Sequence, residues 1–187
     1  VELNTICCAK VPKWLDKQEC DIGYVQMIDI SDNGNSKVIP LFQEKLCIMT
    51  SPNHPLAKQK EVYLKDFNEQ SFTFTYAECC FTDKFRNDLK QADVQLKSEL
   101  FLGSVTAVVD SCLMHDRLCL IPYVAIDKLK EYGLTQVNWI DAFNIYDCVL
   151  TQNTVKKNDK LYPLLEATKE YCLSLKKDNK TKDIVLL

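Results

Sequence analysis

Short runs with strand character alternate with stretches of helical periodicity along the whole chain. Strands are predicted at residues 1–6, 21–25, 45–50, 72–76, 94–100, 118–121, 136–140 and 146–150. Apolar residues recur at helical spacing over residues 11–19, 81–89, 104–112, 125–131 and 160–177. Thr82 and Ser104 are candidate N-caps for the second and third of these helices. Because strands alternate with helices, we expect an α/β fold with mostly parallel sheets covered on both faces.

Composition narrows the class of protein without identifying it. The chain has 187 residues, of which 47% are hydrophobic and 26% are charged, enough for one α/β domain or two small lobes. A net charge of −3 does not favour a nucleic-acid-binding surface, and no apolar run approaches the roughly 20 residues of a membrane span. No secretory signal is visible, so we expect a cytoplasmic protein. The four glycines stand far apart, which excludes the Gly-rich nucleotide-binding fingerprints.

The chain contains ten cysteines, most of which interrupt apolar stretches. A free cysteine in such a place behaves as a small hydrophobe, so we expect reduced thiols. No C-x-x-C spacing occurs and His54 and His115 are the only histidines, so no metal site is predicted. Four cysteines differ from the rest because they form two pairs of neighbours in the sequence, Cys7–Cys8 and Cys79–Cys80. Neighbouring residues on a strand point to opposite faces, so at most one side chain of each pair can be buried in the hydrophobic core.

One segment resembles a known family. Residues 40–57 (PLFQEKLCIMTSPNHPLA) look like the stretch pL-x-x-E-x-L-x-l-v-x-p-x-x-H-P-L-A of LysR-type transcriptional regulators. Residues 14–24 resemble that family's L-x-x-g-x-l-D-l-a-i run, and residues 62–76 match the elements that follow residue 57. Residues 112–122 stand where the family has V-x-a-G-x-G-i-a-l-l-P. The ordered set covers nearly the whole chain.

The resemblance has two departures. His115 and Arg117 replace both glycines of the G-x-G, so the corner around Asp116 is expected to be built differently. Val1 corresponds to the second strand of the family's effector domain, so the helix-turn-helix that binds DNA is expected to lie outside these residues.

The resemblance implies two Rossmann-like lobes joined by two crossover segments, like a type 2 periplasmic binding protein. Lobe I would comprise residues 1–53 plus 146–187, and lobe II residues 54–145. It also implies a small-molecule effector, a homodimer or homotetramer, and promoter DNA as partners. No cofactor, membrane contact or enzymatic activity is implied.

Physical reasoning places the effector site. Ligands of open parallel sheets bind beyond the carboxyl ends of strands, where helix N-termini favour anions. Four strand ends qualify, one in lobe I and three in lobe II, so they would form opposing walls of one cleft. The candidate effector-binding residues there are Cys7, Cys8, Lys10, Tyr76, Cys79, Cys80, Phe81, Thr82, Gly103, Ser104, Pro122 and Tyr123.

Several of these residues have a second interpretation. Lys10 is either a partner for an anion or a solvated lysine, and Ser104 either donates to a ligand or only caps its helix. Tyr76 and Phe81 either line the ligand or join the core. The cysteine pairs either line a pocket or form a thiol sensor, since helix N-termini lower the pKa of a thiol.

Two other classes of protein compete with a regulator. One is a free-standing solute-binding protein of the same two-lobe shape, and the other is a cytoplasmic enzyme that uses a cleft cysteine. His54 is expected to be structural. Because neither histidine follows a strand's carboxyl end, no Ser-His-Asp arrangement is predicted and no catalytic residue is assigned.

Overall fold

A computed structural model describes residues 2–30, 36–177 and 184–186. Its helices are α1 (Val11–Asp16), α2 (Cys80–Gln91), α3 (Val105–His115), α4 (Ile126–Glu131) and α5 (Tyr162–Lys177). Its strands are β1 (Ile22–Met27), β2 (Lys37–Thr50), β3 (Ser71–Phe74), β4 (Ser98–Phe101), β5 (Leu118–Pro122), β6 (Thr135–Val137), β7 (Asn144–Thr151) and β8 (Ile184–Leu186). The α/β class expected from the sequence is confirmed.

The chain divides into two compact units. Unit 1 comprises Val1–Glu44 and Ile145–Leu187, and unit 2 comprises Lys45–Asn144. The chain passes from unit 1 to unit 2 within β2 and returns at the start of β7. The lobe bounds expected from the family resemblance, 1–53 with 146–187 and 54–145, stay a prediction.

Unit 1 is built on an antiparallel sheet. β1 pairs with β7 from Ile22↔Thr151 to Met27↔Tyr146, and β8 pairs with residues 42–44 of β2. α1 packs on one face of this sheet, where the buried cluster comprises Val11, Leu15, Val25, Cys148 and Leu150. On β1 the next side chain points to the opposite face. There the hydroxyl of Tyr24 lies 2.5 Å from that of Thr168 on α5, so helices cover both faces.

Gly23 lets α1 approach β1 closely. A Cβ atom added at Gly23 would lie 2.2 Å from Cγ1 of Val11, far inside van der Waals contact. Because Gly23 has no side chain, β1 and α1 can pack at this short distance.

Unit 2 contains the parallel strands. β3 pairs in parallel with β4 and with β5, whereas the second half of β2 pairs antiparallel with β5 and β6. One core cluster is aromatic and joins Phe67, Phe72, Phe74, Phe85 and Trp139. A second core cluster packs α3 and α4 against β2 and β5.

Two expectations about strands are wrong. Residues 2–6 form no strand, and a 3₁₀ turn at Cys8–Lys10 leads directly into α1. Residues 2–5 are exposed, and an alternating pattern yields a strand only where an edge is available for pairing. The sheets are also not mostly parallel, because β2 pairs antiparallel with β5, β6 and β8.

The corner between α3 and β5 is built without glycine. α3 ends at His115, and Asp116 adopts the left-handed conformation with φ 48° and ψ 42°. Asp is one of the few residues other than glycine that visits this region routinely. Two hydrogen bonds of Arg117 connect this corner to neighbouring strands. Its Nη1 donates to the Phe72 carbonyl at 3.1 Å, and its carbonyl accepts from Thr50 Oγ1 at 2.8 Å.

Candidate functional site

In unit 2, two loops follow the carboxyl ends of β3 and β4 and lie side by side. These strands end level with each other, since Phe74 pairs with Phe101. The Leu102 N–H donates to the Phe74 carbonyl at 3.0 Å, and the Gly103 N–H donates to the Thr75 carbonyl at 2.8 Å. Gly103 has φ 64°, which glycine adopts without strain. The two loops therefore form one surface, from which α2 and α3 begin.

At the N-terminus of α3, the hydroxyl of Ser104 does not cap the helix. Ser104 is the N-cap residue with extended backbone (φ −144°, ψ 134°), but its side chain makes no capping hydrogen bond. The interpretation of Ser104 as a cap alone is therefore wrong. The first N–H groups of a helix have no partner within it and favour a negative charge. Ser104 is exposed, so its hydroxyl and these N–H groups can all meet a ligand from solvent.

The α2 N-terminus is built differently from the sequence prediction. Cys79 is the N-cap, and Thr82 lies inside the helix with only 1% of its surface exposed, so its predicted capping role is wrong. Tyr76 is exposed in the preceding loop, whereas Cys80 and Phe81 are half-buried. This end of α2 presents an aromatic and sulfur-containing surface.

Burial and a neighbouring thiol keep Cys79 protonated. Its side chain is 6% exposed. A hydrogen bond with the Cys80 thiol and burial together raise the pKa of Cys79 well above its ordinary value. The backbone N–H groups of Phe81 and Thr82 act in the opposite direction and are outweighed. The expectation that a helix N-terminus activates this thiol is therefore wrong for Cys79.

Cys79 is expected to react slowly with alkylating reagents. Because the thiolate is the nucleophile, each unit by which the pKa of a thiol is raised lowers its reactive fraction at neutral pH by about tenfold. Iodoacetamide at neutral pH should label Cys79 at least about tenfold more slowly than Cys7, measured by peptide mass spectrometry. Labelling of the denatured protein is the control, where the two rates should converge. Equal rates in the native protein would contradict this picture of Cys79.

The remaining candidate residues of unit 2 follow β5. β5 is parallel to β3, so its carboxyl end lies at the same edge of the sheet. It ends at Pro122, and Tyr123 begins a 3₁₀ turn that leads into α4. Tyr123 is half-buried and packs against the core cluster of α3 and α4. The loops that follow the three neighbouring parallel strands β5, β3 and β4 thus carry the candidate residues of this unit, all at one edge of the sheet.

The candidate residues of unit 1 lie in the turn before α1. The Lys10 N–H donates to the Cys7 carbonyl at 2.9 Å and closes this turn. Cys7 and Cys8 are half-buried, whereas Lys10 is exposed. The structure therefore groups the twelve candidates into one set in unit 1 and a larger set in unit 2.

Sequence reasoning overlooked Thr75. The predicted strand extended to residue 76, whereas β3 ends at Phe74. Thr75 is consequently the first loop residue, and its carbonyl holds Gly103 in place. The alternation of Thr with aromatic residues concealed this boundary, because it continues past the last paired residue.

The two histidines do not form a catalytic arrangement with the candidate residues. Nδ1 of buried His54 accepts from the Leu56 N–H at 3.1 Å and caps a 3₁₀ turn at Pro55–Lys58, the structural role expected. Burial lowers the pKa of His54 although Asp116 and Gln70 act to raise it, so the ring is neutral near pH 7. His115 is exposed at the last position of α3, at the opposite end of this helix from Ser104.

The part of the chain that the structure describes lacks two features. No group of three or more His, Cys, Asp or Glu side chains among these residues is arranged to hold a metal ion. None of the helices within them has the length and apolar character that crossing a bilayer requires.

Comparison with known families identifies the class of this fold. The LysR substrate binding domain family matches residues 1–151. The chain therefore belongs to the LysR substrate binding domain family, which is a family of effector-binding domains with a periplasmic-binding-protein-like fold. No curated protein sequence gives a significant match.

Solved structures show the same fold at low sequence identity. The CcmR regulatory domain of Synechocystis PCC6803 in complex with 2-PG is 15% identical, with a TM-score of 0.73 over 94% of this chain and 83% of that chain. The regulatory domain of MetR, a LysR family regulator from N. meningitidis, is 15% identical, with a TM-score of 0.66 over 94% and 79%. Full-length CbnR complexed with its target DNA is 12% identical, with a TM-score of 0.66 over 92% of this chain and 58% of that chain.

Proposed function

We propose that this chain is the ligand-sensing part of a LysR-type DNA-binding transcriptional regulator and that it binds a small anionic effector. The observation that carries the proposal is the exposed Ser104 hydroxyl, which makes no capping bond at the N-terminus of α3. Membership of an effector-binding family supports the general role. The chemistry of the α3 N-terminus supports an anion, because N–H donors and a partial positive charge meet there.

Each loop has a distinct part in this proposal. Ser104 and the first N–H groups of α3 hold a carboxylate or phosphate, and Gly103 lets the backbone approach it closely. Tyr76, Phe81 and Tyr123 contact the apolar body of the effector. None of these roles is enzymatic.

The regulator is proposed to act as a cytoplasmic homodimer or homotetramer. Promoter DNA would be bound by a helix-turn-helix that residues 1–187 do not contain, which agrees with the net charge of −3 on this chain. An effector that binds one conformation more tightly than another would change the affinity of the oligomer for DNA.

Effector binding can be tested by calorimetry with a panel of small carboxylates and phosphate esters. Ser104→Ala removes one hydrogen bond to a charged group, worth about 1.5–3 kcal/mol, so affinity should fall roughly 10- to 150-fold. Ser174→Ala on α5, where the exposed hydroxyl bonds only within its own helix, is the matched control and should leave affinity unchanged. The proposal fails if no member of the panel binds, or if both variants bind equally well.

A further inference from the structure

His54 holds the turn that follows β2 through its ring and its backbone. The residue is 4% exposed, and its Nδ1 accepts from the Leu56 N–H at 3.1 Å. Two backbone hydrogen bonds close the same turn, from the His54 N–H to the Ser51 carbonyl and from the Ala57 N–H to the His54 carbonyl, each at 3.0 Å. Leu56 is itself buried. The bond between the ring and the Leu56 N–H therefore lies inside unit 2.

This hydrogen bond depends on the protonation state of the ring. A neutral imidazole has one nitrogen that accepts and one that donates, whereas both nitrogens of an imidazolium donate. Because Nδ1 accepts from Leu56, the proton of the neutral ring is on Nε2. A proton added to Nδ1 would face the Leu56 N–H, donor against donor, and leave this buried N–H without its acceptor. The cap is therefore lost when the ring is protonated.

An exposed carboxylate is the nearest source of compensation from the corner after α3. Thr50 Oγ1 donates to the Arg117 carbonyl, which places this corner beside the end of β2. Asp116 at the corner favours the protonated ring. It is exposed, however, so water and salt screen its charge. The guanidinium of Arg117 donates to the Phe72 carbonyl.

The other surroundings of the ring supply no negative charge. β6 packs against the turn at Pro55–Lys58 and contains no charged residue. Lys58 at the end of the turn is exposed and positive. Burial lowers the pKa of His54, and the opposite effects of Asp116 and Gln70 do not outweigh it. The environment therefore favours the neutral ring that the hydrogen bond requires.

We propose that His54 is an acid-sensitive cap, and that protonation of its ring breaks the bond to Leu56 and destabilises unit 2 as the pH falls. The inference is independent of the effector and of DNA binding. The turn leads from β2 to Val62, which forms a bridge with Trp139 of the aromatic core. Loss of the cap therefore weakens the connection between β2 and this core.

The direction of the pH effect follows from the proton count. In the unfolded chain the ring titrates near the ordinary histidine value of about 6.5. The pKa of His54 in the folded chain is lower. Stability is therefore complete above about pH 6.5 and is lost as the pH falls from there to the folded pKa, because the unfolded chain binds the additional proton. Over that window the unfolding equilibrium constant should increase by up to about tenfold per pH unit.

The test is urea unfolding between about pH 8 and pH 5, above the range in which most carboxyl groups titrate, for the wild type and for His54→Asn. Asparagine favours N-cap positions and offers an acceptor oxygen without titrating. We expect the wild type to lose stability toward the acid end and His54→Asn to stay nearly constant. His115→Gln removes the other histidine, which is exposed, and should keep the wild-type profile. Parallel profiles for the wild type and His54→Asn would overturn the proposal.

A second measurement needs no variant at position 54. Long-range proton–nitrogen NMR of the imidazole distinguishes the two neutral tautomers and follows protonation in the wild-type protein. At about pH 8 the unprotonated nitrogen of His54 should be Nδ1, and the ring should titrate below about 6.5. The Leu56 amide resonance should shift with the same midpoint. A proton on Nδ1 of the neutral ring, or titration of His54 at or above about 6.5, would show that the proposal is wrong.

Discussion

Phe85→Ala is expected to lower the free energy of unfolding by about 3–5 kcal/mol, the largest effect of any substitution considered. Phe85 is 0% exposed on α2. Its ring centroid lies 5.1 Å from Phe72, 5.9 Å from Phe67 and 5.6 Å from Trp139. Alanine would leave a cavity between the helix and the sheet of unit 2 that these rigid rings cannot close. Urea unfolding followed by circular dichroism measures the loss.

Two further variants separate cavity formation from the mere loss of an aromatic residue. Phe85→Leu keeps most of the volume and should cost less than half as much as Phe85→Ala. Tyr171→Ala removes a ring that is 65% exposed on α5 and should change stability by no more than about 0.5 kcal/mol. If Phe85→Ala were as mild as Tyr171→Ala, the aromatic cluster would not be the core of unit 2.

Gly23→Ala is expected to destabilise the protein by about 1–3 kcal/mol although it adds only one methyl group. The new Cβ would lie 2.2 Å from Cγ1 of Val11, which is buried between α1 and the sheet of unit 1. α1 would have to move away from β1, which opens the cluster around Leu15 and Leu150. Thermal or urea unfolding of the single variant measures this cost.

The double variant Val11→Ala/Gly23→Ala tests the cause. Val11→Ala deletes Cγ1, so the atom nearest to the new methyl group becomes the Cβ at 3.5 Å, an ordinary contact. The two costs should therefore be strongly non-additive, with the double variant more stable than their sum predicts. Additive costs would mean that the destabilisation of Gly23→Ala has another origin.

The sequence predicted most helices because their apolar faces are long and regular. Phe81, Phe85 and Leu89 at intervals of four residues marked α2, and Ser104 marked the start of α3. The length of β2 could not be predicted in the same way. It carries Pro40 and Glu44, which have low strand propensity, yet residues 42–44 are held by pairing with a strand from the far end of the chain.

The candidate site was less predictable than the fold. Strand ends and helix N-termini are visible in the pattern, so the loops were found. Whether a hydroxyl caps its helix or a thiol is ionised depends on one side-chain torsion or one neighbour. Ser104 prefers capping as a residue type but does not cap here, and Cys80 reverses the effect of the helix on Cys79. Neither of these two properties can be read from the spacing of residues in the sequence.

The division of the chain also bears on the order in which the protein can assemble on the ribosome. Unit 2 is one uninterrupted stretch, so its strands and its aromatic core are all available once Asn144 has emerged. Unit 1 joins two separate stretches, and β1 has no antiparallel partner until β7 has been synthesised more than a hundred residues later. Domains generally fold as units during synthesis. β1 therefore leaves the ribosome well before the strand that pairs with it, and its edge stays open during that interval.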